Sequence, residues 1–401
     1  MTPLRRLNVM LLAFLVVLSV PQSFSQTAGY TVVPLGPALD SPSGLVSPTP
    51  RDINKQGWVV GSNRPIGGQN SGFLWKGGIV YPMPTLGGTC SSATGINDQG
   101  DMVGTVCLPG DTVRHAALWR GGSFVVDKDI FGGTFSSANY INNKGHVIGV
   151  YGVADGSTHL YYRTFNTWQD VGANLFPDGL NDSGEIAGQF DVGPVDPVTF
   201  QAPTHGFYWY KGKFRDFGSL FGTDYNYAIA IDAAGRIAGT TDLAGDVVAH
   251  GMIWDHGFIA DLPPLPDNQV SWAMGMNNKV QVVGHSGLKD PFPEDGPPAF
   301  TMLCPCTPVL WTDGMVLDLN SLIPSEWVLD FAFGINDSGQ IIARAHKNGG
   351  PRQSVKLGPK PVSAATSAQF MGPINRRSKS AGVGGPSRLV RGKDGEIREV
   401  Q

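Results

Sequence analysis

The chain has 401 residues, with 54 glycines, 30 prolines and only 15% charged residues, against nine Trp, ten Tyr and twenty Phe. That balance favours short strands and tight turns over helices. Net charge is −4 although residues 358–401 carry eight Lys/Arg against three Asp/Glu, so the body is strongly acidic, which argues against nucleic acid as a partner.

The N-terminus reads as a secretory signal. Arg5 and Arg6 precede an apolar run, Val9 to Val20, that is too short to span a bilayer comfortably. Ser23-Phe24-Ser25 places small residues before a cleavage point after Ser25. Residues 1–25 are therefore expected to be removed on export, leaving a secreted, extracellular or periplasmic protein without a membrane span. The first strand-like segment of the mature chain is Tyr30 to Gly36.

A motif then returns seven times: an apolar residue, Asn or Asp, polar residues, and a short apolar run that usually ends in Gly. It begins at Ile53-Asn54, Ile96-Asn97, Ile141-Asn142, Leu180-Asn181, Ile231-Asp232, Met276-Asn277 and Ile335-Asn336, with steps of 43, 45, 39, 51, 45 and 59 residues. Asn or Asp followed three residues later by Gly is type I turn chemistry, the glycine closing a hairpin in the left-handed conformation. The sixth copy has Val280 at the glycine position, and the seventh ends in Ala343. Turn polarity also accounts for Asp98, Asp182 and Asp337 without a calcium site.

Each turn is followed by an aromatic strand: Gly72-Phe73-Leu74-Trp75, Ala116-Ala117-Leu118-Trp119, Leu160-Tyr161-Tyr162, Gly206-Phe207-Tyr208-Trp209, Gly251-Met252-Ile253-Trp254 and Val309-Leu310-Trp311, with Ser354-Val355-Lys356-Leu357 in the last unit. These aromatics are expected to pack between neighbouring sheets. A third motif completes the unit, clearest in Asp216-Phe217-Gly218-Ser219-Leu220, Asp261-Leu262-Pro263-Pro264-Leu265 and Asp318-Leu319-Asn320-Ser321-Leu322. Together the three motifs resemble the bacterial extracellular HAF-type repeat family over residues 30 to 357, including the histidine before the aromatic strand in His115, His205 and His250, and more loosely His159. The resemblance implies a repeat architecture and confers no activity.

Four short strands per unit is the size of a propeller blade. The seventh unit lacks a fourth strand and the mature N-terminus has one to spare. The expected fold is therefore all-β: a seven-bladed β-propeller of four-stranded blades over residues 26–357, closed by Tyr30–Gly36 completing the last blade and leaving no open edge. In that arrangement the first strand of each blade lines the channel. The longer connections Gln189 to Thr204 and His285 to Thr307 share one face, where a binding surface is expected.

Cys90 lies seven residues before Asn97 and Cys107 seven after Gly100, which predicts a disulfide across that hairpin. Cys304-Pro305-Cys306 is either a local disulfide or two thiols; neither a zinc site nor a Cys-x-x-Cys redox motif fits. The recurrent histidines, repeated around a ring, cannot share one metal and read as structural. The tail, residues 358–401, lacks the repeat and is expected to be disordered and basic.

No catalytic, cofactor-binding or metal-binding residue stands out, and no nucleophile elbow or phosphate loop is present. The sequence therefore points to an exported, monomeric, non-enzymatic interaction protein that binds an unknown protein or glycan. The alternative is a propeller enzyme, a lyase or glycosidase, acting on polysaccharide. A glycosidase needs two carboxylates about 5–10 Å apart; the loops offer Asp191, Asp196, Asp290, Glu294 and Asp295 with nothing to bring a pair together.

Overall fold

The computed structural model describes residues 29–360, apart from 37–48, 64–69, 86, 111–112, 122, 128–132, 166, 194–201, 219–225, 244–247 and 289–305, together with the backbone strands Arg388–Arg391 and Ile397–Val400. Seven antiparallel four-stranded sheets follow one another along the chain. Their innermost strands are Thr49–Ile53, Ser91–Ile96, Phe135–Ile141, Leu175–Leu180, Asn226–Ile231, Val270–Met276 and Trp327–Ile335. Each contacts the next, and the last contacts the first, so the sheets form a closed seven-bladed propeller.

Closure follows the expected scheme. Tyr30–Pro34 pairs antiparallel with Gln353–Pro359 and supplies the outermost strand of blade seven, in register from Tyr30 opposite Pro359 to Pro34 opposite Val355. Tyr30 and Leu35 are buried there, and the Leu35 N–H continues the pairing to the Ser354 carbonyl at 2.9 Å. A five-residue ladder alone would be marginal; two buried side chains at about 1.5–3 kcal/mol each make the zip stable.

All seven turns form as the motif requires. In each, the fourth residue donates its N–H to the carbonyl of the leading Asn or Asp, for example Gly57 to Asn54 at 2.9 Å. The fourth residue takes a positive φ throughout, including Val280 at +60°. A β-branched side chain is strained in that region, so the sixth turn forms despite its sequence.

The aromatic strands sit third in each sheet and their Trp side chains fill the spaces between blades; Trp75, Trp119, Trp209, Trp254 and Trp311 are all buried. The register corrects one detail: in blade three the Trp position is held by Arg163, opposite Val147, and Trp168 of the neighbouring strand lies over its guanidinium. The Cys90–Cys107 disulfide is formed across the second hairpin. Cys306 is also disulfide-bonded, while Cys304 lies outside the described residues.

The two tail strands add to the outer edge of blade five, Arg391 opposite Ile259 and Val390 opposite Ala260, where the sequence predicts no order. No helix among the described residues is long and apolar enough to cross a membrane.

Candidate functional site in the axial channel

The seven leading Asn/Asp residues meet around the axis, and their amides do more than cap turns. Each Oδ1 accepts the N–H four residues on within its own turn, and in blades two to seven also the N–H two residues on, as Asn336 does from Ser338 and Gln340. In six blades the Nδ2 then donates to the carbonyl of the next blade's leading residue, at 2.7–3.2 Å. The bond from Asn336 to the Asn54 carbonyl closes the circle between the last blade and the first.

Asp232 has no donor to offer Asn277, and the belt is interrupted there. Its second oxygen is bound by Arg236 at 2.7 Å instead. Where the leading residue is Asn, the residue four on supplies an acceptor in four blades: Asp101, Glu185, Gln281 and Gln340. A second tier runs outside the belt. The Asp98, Asn143, Asp182, Asn278 and Asp337 side chains each accept a backbone N–H from the preceding blade. These side chains are blade-to-blade fasteners.

On this face the belt surrounds a cavity of about 200 Å³. Its floor is aliphatic: Ile53, Ile96, Ile141, Leu180, Ile231, Met276 and Ile335. Below that floor the seven blades stop being alike. Every innermost strand carries a β-bulge at one and the same repeat position, so that one residue drops out of register with the second strand. Bulges re-aim side chains. The bulged residues are Arg51, Thr94, Asn139 and Asp178 in blades one to four, and Ile229, Met274 and Phe333 in blades five to seven. One arc is polar and the other apolar.

Two residues further from the belt the asymmetry repeats. Thr49, Ser92 and Ser137 occupy blades one to three; Phe176, Tyr227, Trp272 and Phe331 occupy blades four to seven, all at least partly exposed. Phe331 packs at 4.8 Å from Phe333 and 4.0 Å from His285. Burial holds His285 neutral, its pKa lowered to about 4, and its Nε2 bonds the Ala332 carbonyl.

Between the bulge ring and the aliphatic floor, five blades place Gly or Ala, and the strands approach closely: a Cβ on Gly275 would lie 2.9 Å from the Gly334 Cα. Blades one and three instead place Asp52 and Tyr140. Both Asp52 oxygens accept backbone N–H groups, from Ile53 at 2.7 Å and Ile96 at 2.9 Å, yet burial still raises its pKa. Burial raises the Tyr140 pKa further, with Asp178 and Asp52 adding to the rise and Arg51 opposing it. Four side chains from blades one, three and four therefore lie within electrostatic range of one another.

Asp178 is the outlier. Burial pushes its pKa well above the ordinary carboxylate range. Its Oδ2 is shielded from solvent and makes no hydrogen bond, as is true of the neighbouring bulge residue's Asn139 Oδ1. A shielded carboxyl oxygen without a partner costs on the order of 1–3 kcal/mol, and burial favours the protonated form.

The histidines fall elsewhere. His159, His205 and His250 each pair through Nδ1 with the aspartate of the adjacent strand, Asp170, Asp216 and Asp261, at 2.8–2.9 Å. Of the loop carboxylates, Asp191 is exposed at the end of its strand, whereas Asp196, Asp290, Glu294 and Asp295 lie outside the described residues, as do half of the first long connection and most of the second. Among the described residues no three His, Cys, Asp or Glu side chains gather as metal ligands.

No family model matches the chain, and no curated protein matches it. Among solved structures it superposes on the β-propeller domain of the Trilobed protease from Pyrococcus furiosus, with a TM-score of 0.52 and 12% identity over 78% of this chain and 96% of that one. It also superposes on the Pyrococcus horikoshii acylaminoacyl peptidase, with a TM-score of 0.50 and 13% identity over 86% of this chain and 57% of the peptidase. The chain thus spans little more than half of that enzyme. The protease domain is described as having an open velcro topology, whereas here the first strand zips the last blade shut. At these identities the likeness establishes the propeller fold. The propellers matched belong to peptidases, which counts against the expectation of a non-enzymatic interaction protein.

Proposed function

We propose that the chain is an exported propeller enzyme acting on polysaccharide, with the axial channel as its active site. Asp178 is the proton donor to the departing glycosidic oxygen, a step that hydrolysis and elimination share. The observation that carries this reading is the Asp178 carboxyl, whose Oδ2 is shielded without a hydrogen bond and whose protonated form burial favours. A general acid needs a pKa lifted toward the working pH, and environments that treat two carboxyl groups differently are how acid roles are set. Asp52, bonded by two backbone N–H groups, is the second carboxyl of the channel.

The rims supply the binding chemistry. Phe176, Tyr227, Trp272 and Phe331 offer flat apolar faces to sugar rings, and Thr49, Ser92 and Ser137 offer hydroxyls on the opposite arc. The Cys90–Cys107 disulfide supports an oxidising compartment, which suits a polymer-degrading enzyme working outside the cytoplasm.

The test is product release from a panel of neutral and acidic polysaccharides, read as new reducing ends. The wild-type chain should release oligosaccharide from at least one polymer, and D178N should lower the rate by about a hundredfold or more while remaining folded. Equal rates for the two proteins would remove Asp178 from the chemistry.

A further inference from the structure

We propose that Arg51 is a carboxylate-binding, specificity-determining residue, so that the polymer accepted in the channel is an acidic one built on uronate sugars. This deepens the polysaccharide reading and rests on it for the identity of the ligand, not for the existence of the subsite.

Arg51 is the bulged residue of blade one, turned out of the strand register by the break between Pro50 and Asp52. It is exposed, and among the described residues its guanidinium makes no hydrogen bond or ion pair. Arg120 and Arg236, by contrast, both bind carboxylates. A guanidinium presents five N–H donors in a planar fork that matches a carboxylate in two parallel bonds.

The groups around it select the rest of the ligand. Tyr140 lies within electrostatic range of both Arg51 and Asp178. Asn139 Oδ1 and Asp178 Oδ2 are left without hydrogen-bond partners. A ligand that satisfies the cluster carries an anionic group for Arg51 and hydroxyls, which both donate and accept, for these two atoms. A uronate residue has both on one ring: a carboxylate on one carbon and hydroxyls on its neighbours. A neutral hexose offers only the hydroxyls and leaves the guanidinium unpaired.

The experiment is calorimetric binding of a galacturonate oligomer and of its carboxyl-reduced, neutral counterpart to the full chain, with wild type, R51Q and R51K compared. Arg51 is exposed and bulged, so neither substitution should disturb the blade, which a thermal melt verifies. The wild type should bind the uronate oligomer about tenfold or more tightly than the neutral one. R51Q should erase that preference by weakening uronate binding alone, and R51K should restore part of it. Equal affinity of the wild type for both oligomers, or a preference that survives R51Q, would overturn the proposal. Arg51-dependent uronate binding without product release would uphold the subsite and count against the enzymatic reading. Cleavage of neutral polymer at an undiminished rate would do the reverse.

Discussion

The leading Asn of each turn shows how one side chain can serve two levels of structure. A type I turn accepts Asn or Asp equally, so turn chemistry alone gives no reason for Asn in six of seven copies. The amide is required because its Nδ2 fastens each blade to the next. The chain also carries its own control: where Asp232 replaces Asn, Arg236 replaces the acceptor found four residues on in blades two, four, six and seven. It follows that N336D should destabilise the protein by about 2 kcal/mol or more, since it buries a carboxylate without a cation and deletes the ring-closing bond to Asn54. The double variant N336D/Q340R should recover a substantial part of that loss, because it copies blade five. Chemical denaturation of the three proteins decides the point, and no recovery in the double variant would show that the pairing is incidental.

His285 gives a pH dependence with a definite sign. Its folded pKa lies near 4, below the ordinary value of 6.5, because burial penalises the charged ring. The unfolded chain therefore takes up a proton first as pH falls. Stability is full above about pH 6.5 and is lost toward pH 4, by roughly 3 kcal/mol for a shift of this size. H285Q should flatten that part of the stability–pH curve measured by denaturant titration; an unchanged slope would place the acid sensitivity elsewhere.

At the scale of the element, the hairpin turns, the aromatic third strands and the closing strand were all legible in the sequence, because each is a local signal repeated in register. Val280 tests how strong that signal is. It adopts φ of +60° in a turn where six other copies have glycine, so the fold imposes the conformation on a residue that resists it. V280G should raise stability by about 1 kcal/mol, read as a shift in denaturation midpoint, relief of strain exceeding the added freedom of the unfolded chain. A destabilised variant would mean that the packing of Val280 outweighs its strain.

The bulges were not legible in the same way. Nothing in Arg51, Thr94, Asn139 or Asp178 marks a bulge when a single copy is read. The usable signal is comparative: aligned on the leading Asn, most columns repeat, whereas the columns three and five residues before it change character around the ring. Repetition marks the scaffold, and loss of repetition marks the site. The loop acids drew attention in the sequence because function favours loops. The polar cluster in the channel was missed because its members lie on different blades, separated by dozens of residues, and only ring closure brings them together.

For the molecule as a whole, closure is the condition on which the channel exists. Starting the chain at residue 37 would remove the strand that covers blade seven, expose Val355 and Leu357, and open an edge. Such a chain should lose at least about 3 kcal/mol, from the burial of Tyr30 and Leu35 alone. Hydrogen exchange should show the loss of protection first in Ile341–Lys347 and Gln353–Pro359; uniform protection would show that blade seven stands without its fourth strand.

The claim that the asymmetric channel performs chemistry is tested most directly by the pH dependence of polymer cleavage. Reducing-end release by the wild type and by D178N should be followed across the acid and neutral range under otherwise fixed conditions. The wild-type rate should fall as pH rises through the elevated pKa of Asp178, because the proton to be donated is lost, and D178N should show neither the rate nor the fall. A wild-type protein that cleaves no polymer, or a D178N variant with the same profile, would contradict the account.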